Sequence, residues 1–487
     1  MTARTTLAAG LLSGLMTLAT GAQAASPPAE RFPGEPPPPG PAPVLRLPVP
    51  QQHTLANGLQ VVVARREGLP LVTAHLIVRA GSETDPAGEA GLAALTATLL
   101  TRGAGGMGAP EIAAAAEALG GSLDAGSGWD ESDVDITVTT PKLPAALKLM
   151  STVVEHPDFA QDELDRARKQ TADDLRLRLS RPTGMAALLA QRAVFGDGAY
   201  GHSAMGTPQS LPRIARADVV RQHATWYRPD NAILVLAGDI DLATATRLAE
   251  TAFGGWKAPA AALPAKPAGV GKGDAPALLV VDQKGAGQAG VVAAHLGIRR
   301  GDADFYAGEV ANAVLGGSYS ARLNEEIRIK RGLSYGASSR LDARRDPGQW
   351  MAVVQTKNPS AAQVVQLVGQ EFDRLAQAPV PAAELAARKA TLVGGYGRSL
   401  ETTGGLAAQV GELALYGVPL DAVGQYIRRV QAVTPAQVQA FARAHLGDAG
   451  TRVVVVGDAA QFGAALKRTH PRLEQVEYDA VRLDAPH

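Results

Sequence analysis

At 487 residues the chain is too long for a single hydrophobic core, so two domains of roughly 200 residues or more are expected. Its 47 basic and 47 acidic residues cancel and are scattered along the chain, which leaves no broad electrostatic field for nucleic acid. The absence of cysteine excludes disulfides, thiolate-held zinc, iron–sulfur clusters and a thiol nucleophile.

Residues 1–24 read as a secretory signal peptide. Arg4 supplies a positive start, residues 7–19 are mostly apolar, and Ala22-Gln23-Ala24 is a small-residue cleavage site. That apolar run is shorter than the ~20 residues of a spanning helix, and no later run is long and apolar enough to span. The expectation is export, with the periplasm as destination. Residues 25–45 form a Pro-rich spacer with extended, polyproline-like character.

The folded part is expected to start at Arg46. Asn57-Gly58 marks a hairpin-type turn before an apolar strand at 61–64, and a second strand follows at 71–79. Residues 88–103 predict a buried Ala/Leu-rich helix, and a further helix from Glu111 stops at a Gly pair. A strand of alternating pattern is predicted at 133–140, helices at 141–155 and 162–180, a strand at 231–240 and a closing helix at 242–253. Residues 257–275, rich in Pro, Gly and Ala, read as a linker.

After the linker the order of elements restarts. AHLIVRAG at 74–81 returns as AHLGIRRG at 294–301. Glu163-Leu164 returns as Glu384-Leu385, His223 as His445, and Gly238-Asp239 as Gly457-Asp458, all at nearly one offset. The chain is therefore two copies of one unit, 46–256 and 276–487. Hairpins followed by helices predict an α+β fold, each repeat an antiparallel sheet with helices packed on one side.

The stretch LGGSYSARLNEEIRIKRGLSY, residues 315–335, carries the main functional signal. It predicts a Gly-Gly turn, a helix, a turn at Gly332 and a strand beginning near Tyr335. Arg328 and Tyr335 are poor metal ligands, yet both can hold an oxygen that gains negative charge. Gly332 supports the turn between them.

The duplicated layout together with RIKRGLSY resembles the pitrilysin/insulinase family of metallopeptidases, the inverzincins, over nearly everything from Arg46 onward. The resemblance implies a half clamshell like that of the mitochondrial processing peptidase. Active family members carry H-x-x-E-H on the first long helix. Here that motif falls on Ala94-Leu95-Thr96-Ala97-Thr98, so Ala94, Ala97 and Thr98 stand where two histidines and the catalytic glutamate would be. The later glutamate ligand would fall within 169–175, where Asp173-Asp174 reads as a solvated helix face. The nine histidines are too far apart in sequence for two to share adjacent helical turns, and His75 and His295 read as structural. No cofactor is therefore expected in this chain. Arg328 and Tyr335 do fit the family's R-x6-Y pair, which implies that Tyr335 donates to a tetrahedral oxyanion while Arg328 binds a substrate carbonyl or holds the tyrosine. The alternative pairs Arg328 with Glu325 and leaves Tyr335 to pack.

A third feature is the segment 121–139. By the same resemblance it can bind peptide by edge pairing, with Gly126, Ser127 and an exposed Trp129 as substrate contacts, or it is an ordinary strand after a flexible loop. These readings converge on the zinc-less subunit of a heterodimeric peptidase, inactive alone, whose partner carries H-x-x-E-H and the zinc. The alternative is a non-catalytic structural or peptide-binding protein of the same fold, like the core subunits of respiratory complexes. A free-standing serine hydrolase lacks a G-x-S-x-G elbow.

Overall fold

The computed structural model describes residues 47–447 and 450–483; the expected signal peptide and Pro-rich spacer lie outside the described residues. The first repeat runs β1 (Gln51–Thr54), β2 (Gln60–Arg65), β3 (Leu71–Val78), α1 (Leu92–Leu99), α2 (Ala109–Ala118), β4 (Leu123–Ser127), β5 (Ser132–Thr139), α3 (Leu143–Glu155), α4 (Gln161–Ser180), α5 (Pro182–Phe195), α6 (Arg216–Trp226), β6 (Ala232–Gly238) and α7 (Leu242–Phe253). The second runs β7 (Leu278–Asp282), β8 (Ala289–Leu296), α8 (Phe305–Leu315), β9 (Ser334–Leu341), β10 (Gln349–Thr356), α9 (Ala361–Gln377), α10 (Ala382–Ser399), α11 (Thr403–Leu415), α12 (Ala422–Ala432), α13 (Pro435–His445), β11 (Arg452–Gly457), α14 (Gly463–Thr469) and β12 (Glu474–Glu477).

Local chemistry explains several boundaries. Asp241 caps α7 by accepting from the Thr244 amide at 2.7 Å, and Thr434 and Gln437 close a reciprocal box at the start of α13. Pro182 cannot extend the ladder of α4 and takes the first position of α5. The helix expected at 88–103 is confined to α1, because Gly91 before it sits at φ +93° and packs against Gly206.

Each repeat forms a six-stranded sheet, in the orders β1-β2-β6-β3-β5-β4 and β9-β10-β8-β11-β7-β12. The sheets are mainly antiparallel. The exceptions are β6, parallel to β2, and β7, parallel to both β11 and β12. The repeats correspond landmark by landmark: β3 with β8, α4 with α10, β6 with β11.

Both faces of the inner strands are buried. Val61 and Val63 of β2 join one hydrophobic cluster while Val62 and Ala64 join the other. All seven residues of β6 are buried. One face of each sheet is covered by its own repeat's helices. The other is covered by a helix from the opposite repeat: α5 packs on β8, β10 and β11, and α11 packs on β3 and β6. Leu189 of α5 thus sits in one cluster with Val292 and Val454, and Val410 of α11 in the other with Ile77 and Val235. The 257–275 stretch is irregular, as a linker should be, yet it is fastened down. Its Ala268 and Gly269 carbonyls accept from the amides of Ala199 and Tyr200 at 2.9 Å, and Lys266 reaches the fully buried Glu83 at 2.8 Å.

Because α5 serves the opposite repeat's sheet, Leu189→Ala should cost about 2–5 kcal/mol, the range for a buried leucine truncation. Urea unfolding followed by far-UV circular dichroism should show one earlier transition. Loss of a single repeat's signal alone would contradict the exchange.

Candidate functional site

The 315–335 stretch builds one side of an open groove. Helix α8 ends at Gly316, where any Cβ would lie 2.3 Å from the Ser339 amide of β9, so only glycine permits that approach. Residues Arg322–Asn324 then form a short helical turn, anchored by a bidentate Arg322–Glu384 pair at 2.9 Å for both bonds. Glu325–Ile329 follows as a π-helical turn, a wide-turn geometry frequent at functional sites. Gly332, at φ +63°, reverses the chain into β9.

Strand β9 is the edge of its sheet. Its register against β10 slips between Ser334 and Ala337, and Ser334 accepts from the Gly336 amide inside that bulge at 2.9 Å. A bulge re-aims the side chains on it, and Tyr335 is accordingly 89% exposed. Arg328 lies 4.6 Å over the ring of Tyr319. The alternative partner Glu325 is taken by Lys330 at 3.2 Å, and Arg328 makes no ion pair among the described residues. Arg328, Tyr335, Tyr319 and Asn324 line one groove of about 690 Å³, together with Thr183 from α5. The structure therefore sets the predicted pair on one groove, with no hydrogen bond or ion pair to either polar end among the described residues.

The opposite condition holds on α1. Ala97 is fully buried. Ala94 and Thr98 share a half-buried face, and the Thr98 hydroxyl is spent on the Ala94 carbonyl at 2.9 Å. Asp173 and Asp174 on α4 are exposed, Asp173 accepting from Arg176 at 2.6 Å, which is a solvated helix face.

Beside α1 runs β4, paired on one side only, with β5, so that the backbone of Gly126 and Ser127 lies on a sheet edge. Trp129 departs from expectation. It is half-buried, packed edge-on against Tyr200 and His202 with Arg344 4.6 Å over its ring. The cause is its neighbour: Asp130, buried at 1% exposure, draws this loop inward by accepting from the hydroxyls of Tyr200 at 2.5 Å and Tyr416 at 3.1 Å.

Between the two repeats lies a polar cavity of about 850 Å³, lined by His75, Glu131, Asp133, Arg300, Glu309 and Glu412 among others. His295 is a core histidine as expected, 2% exposed and bonded to Thr451 at 2.8 Å. His75 is not its equivalent: Asp133 and Asp135 approach it across the sheet. The alternating D-V-D of 133–135 carried that signal, but only the pairing register of β3 with β5 shows that it faces His75.

Residues 60–207 match the profile of insulinase, peptidase family M16, and residues 213–392 that of the peptidase M16 inactive domain. The chain belongs to the insulinase/pitrilysin family. A Mycobacterium tuberculosis protein named an uncharacterized zinc protease is 28% identical over 81% of this chain and 90% of its own length. A Helicobacter pylori protein named a non-peptidase homolog is 24% identical over 81% of this chain and 91% of its own. The crystal structure of a peptidase M16 inactive domain from Pseudomonas fluorescens superposes with a TM-score of 0.75 at 28% identity, covering 84% of this chain and 98% of that one.

As an M16 protein the chain fails to fit the zinc its family name implies. A methyl group and a committed hydroxyl stand at the two expected histidine positions, Ala94 and Thr98, and Ala97 replaces the catalytic glutamate, whereas zinc requires imidazole, thiolate or carboxylate ligands.

Glu131 in the cavity is pushed up to about 7, by burial first and then by Asp130, Asp133, Glu83 and Glu412. Between its ordinary 4.5 and about 7 the folded protein keeps a proton that the unfolded chain has lost. The group's contribution to stability therefore falls as pH rises through that window. Glu131→Gln should raise the urea midpoint at about pH 8 and leave it nearly unchanged at about pH 4; an equal shift at both would contradict this.

Proposed function

We propose that this chain is the zinc-less subunit of a two-chain M16 peptidase and supplies Arg328 and Tyr335 to a site whose metal sits on an H-x-x-E-H partner. The observation that carries the reading is the contrast above: an oxyanion-type pair left free in one groove, on a chain with no ligands at the family's zinc positions. Attack of water on a peptide carbonyl gathers negative charge on its oxygen. The exposed Tyr335 hydroxyl is a neutral donor for that oxygen, and the unpaired Arg328 guanidinium is a fixed positive charge beside it. The free edges of β4 and β9 offer backbone donors and acceptors to an extended peptide. Gly126 and Ser127 are on the first of these edges, and Trp129 buttresses the loop behind it rather than meeting substrate as an exposed ring. Export by the N-terminal signal would place the pair in the periplasm.

In a mixture with an exported H-x-x-E-H family protein, this chain should raise peptide cleavage, and Tyr335→Phe should lower kcat about 10²–10³-fold without weakening association of the two chains. Unchanged cleavage with Tyr335→Phe would end the catalytic role. The second reading, a non-catalytic structural or peptide-binding protein, is favoured by the Helicobacter relative named a non-peptidase homolog. It predicts no gain in cleavage with any such partner. N-terminal sequencing of the exported protein should begin at Ala25; an intact Met1 in that fraction would remove the signal peptide from the account.

A further inference from the structure

We propose that His75, Asp133 and Asp135 form a binding site for one first-row divalent cation of the zinc or manganese kind, on the wall of the cavity between the repeats and separate from the degenerate positions on α1. The three side chains come from two adjacent strands. His75 on β3 stands directly opposite Asp135 on β5, and Asp133 lies two residues further along the same face. Such cross-strand and diagonal neighbours are held at fixed spacing by the ladder. One imidazole nitrogen and one oxygen from each carboxylate already lie within 4.8 Å of one another. Drawing them in to ordinary metal–ligand lengths needs rotamer adjustments of about 1 Å.

The chemistry of each group favours a cation there. Neither ring nitrogen of His75 makes a hydrogen bond among the described residues. Burial, only partly opposed by Asp135, holds the imidazole below its ordinary value, so it is neutral with a lone pair to give. Burial likewise pushes both aspartates up, the sign of carboxylates short of positive charge. No lysine or arginine pairs with either among the described residues. Of the three arginines on the cavity wall, Arg300 is committed to Glu412 and Arg340 to Asp342, and Arg398 makes no ion pair with either aspartate among the described residues. Room for the ring is made by α11 of the other repeat: a Cβ at Gly411 would stand 3.2 Å from its Cδ2.

The donor set selects the ion. One imidazole with two carboxylates suits zinc, manganese or cobalt, whereas magnesium and calcium prefer oxygen alone. Three protein ligands leave a coordination position open toward the cavity. Since all three ligands stand on β3 and β5, a bound ion would cross-link two adjacent strands of the first repeat's sheet beneath α11.

The test uses the full untagged chain. Equilibrium dialysis against zinc chloride, read by mass spectrometry of the metal, should give one ion per chain, and zinc should raise Tm while magnesium should not. His75→Gln and Asp133→Asn should each lower the stoichiometry at least fivefold and abolish the shift. Because His75 is packed against α11, the less buried Asp135→Asn serves as the variant whose fold is checked by circular dichroism. Tyr335→Phe should keep the ion, so this outcome is independent of the proposed peptidase role. Less than a fifth of an equivalent in the wild-type chain, or equal zinc in the folded Asp135→Asn protein, would overturn the site.

Discussion

Each sheet in this protein has two apolar faces and only one set of its own helices. That constraint organises the molecule. A strand such as β6, buried at every residue, cannot leave one side in water, because each large side chain it exposed would forfeit roughly 1.5–3 kcal/mol. The solution is exchange. Helix α5 leaves its repeat to cover the second sheet, and α11 returns the cover to the first. The two hydrophobic clusters consequently each contain residues of both repeats. The repeats are homologous in sequence but not separable as packed bodies.

A second tie is polar. Asp130 of the first repeat is buried and accepts from Tyr200 of its own repeat, from Tyr416 of the second, and from the Arg345 amide at 3.0 Å. Arg344 lies over the rings of Trp129, Phe195 and Tyr200. A buried carboxylate is tolerated only when its acceptor positions are met, and here the donors come from both repeats. The same network turns Trp129 inward, so one interaction both closes the interface and shapes the loop beside the edge of β4.

The functional surface follows from where this packing stops. Edge strands β4 and β9 are left unpaired on one side because each sheet ends there, and the bulge in β9 directs Tyr335 away from the core. Helix α1, by contrast, is absorbed into the first cluster through Leu92, Leu95 and Leu99. With alanine and threonine at the family's ligand positions, it acts as a packing helix beside an open strand.

Much of this could be read from the sequence. The internal repeat, the alternation of hydrophobic runs and the R-x6-Y spacing are local or periodic features, and they carry the duplicated α+β plan, the lack of histidines on α1 and the choice of Arg328 and Tyr335 as candidates, which the structure sets on one groove. Residues 182–195 showed why the reading stops there. Helix α5 is apolar around most of its surface because it is sandwiched, so it lacks the one-sided periodicity that marks a surface helix. The inward turn of Trp129 depended on Tyr416, 287 residues away in the chain, and the meeting of His75 with Asp133 and Asp135 on strand register. Composition and spacing thus determined which chemistry the chain retains. The tertiary structure alone decided which of those groups face one another, since burial and cross-strand contact are set by parts of the chain that no local pattern connects.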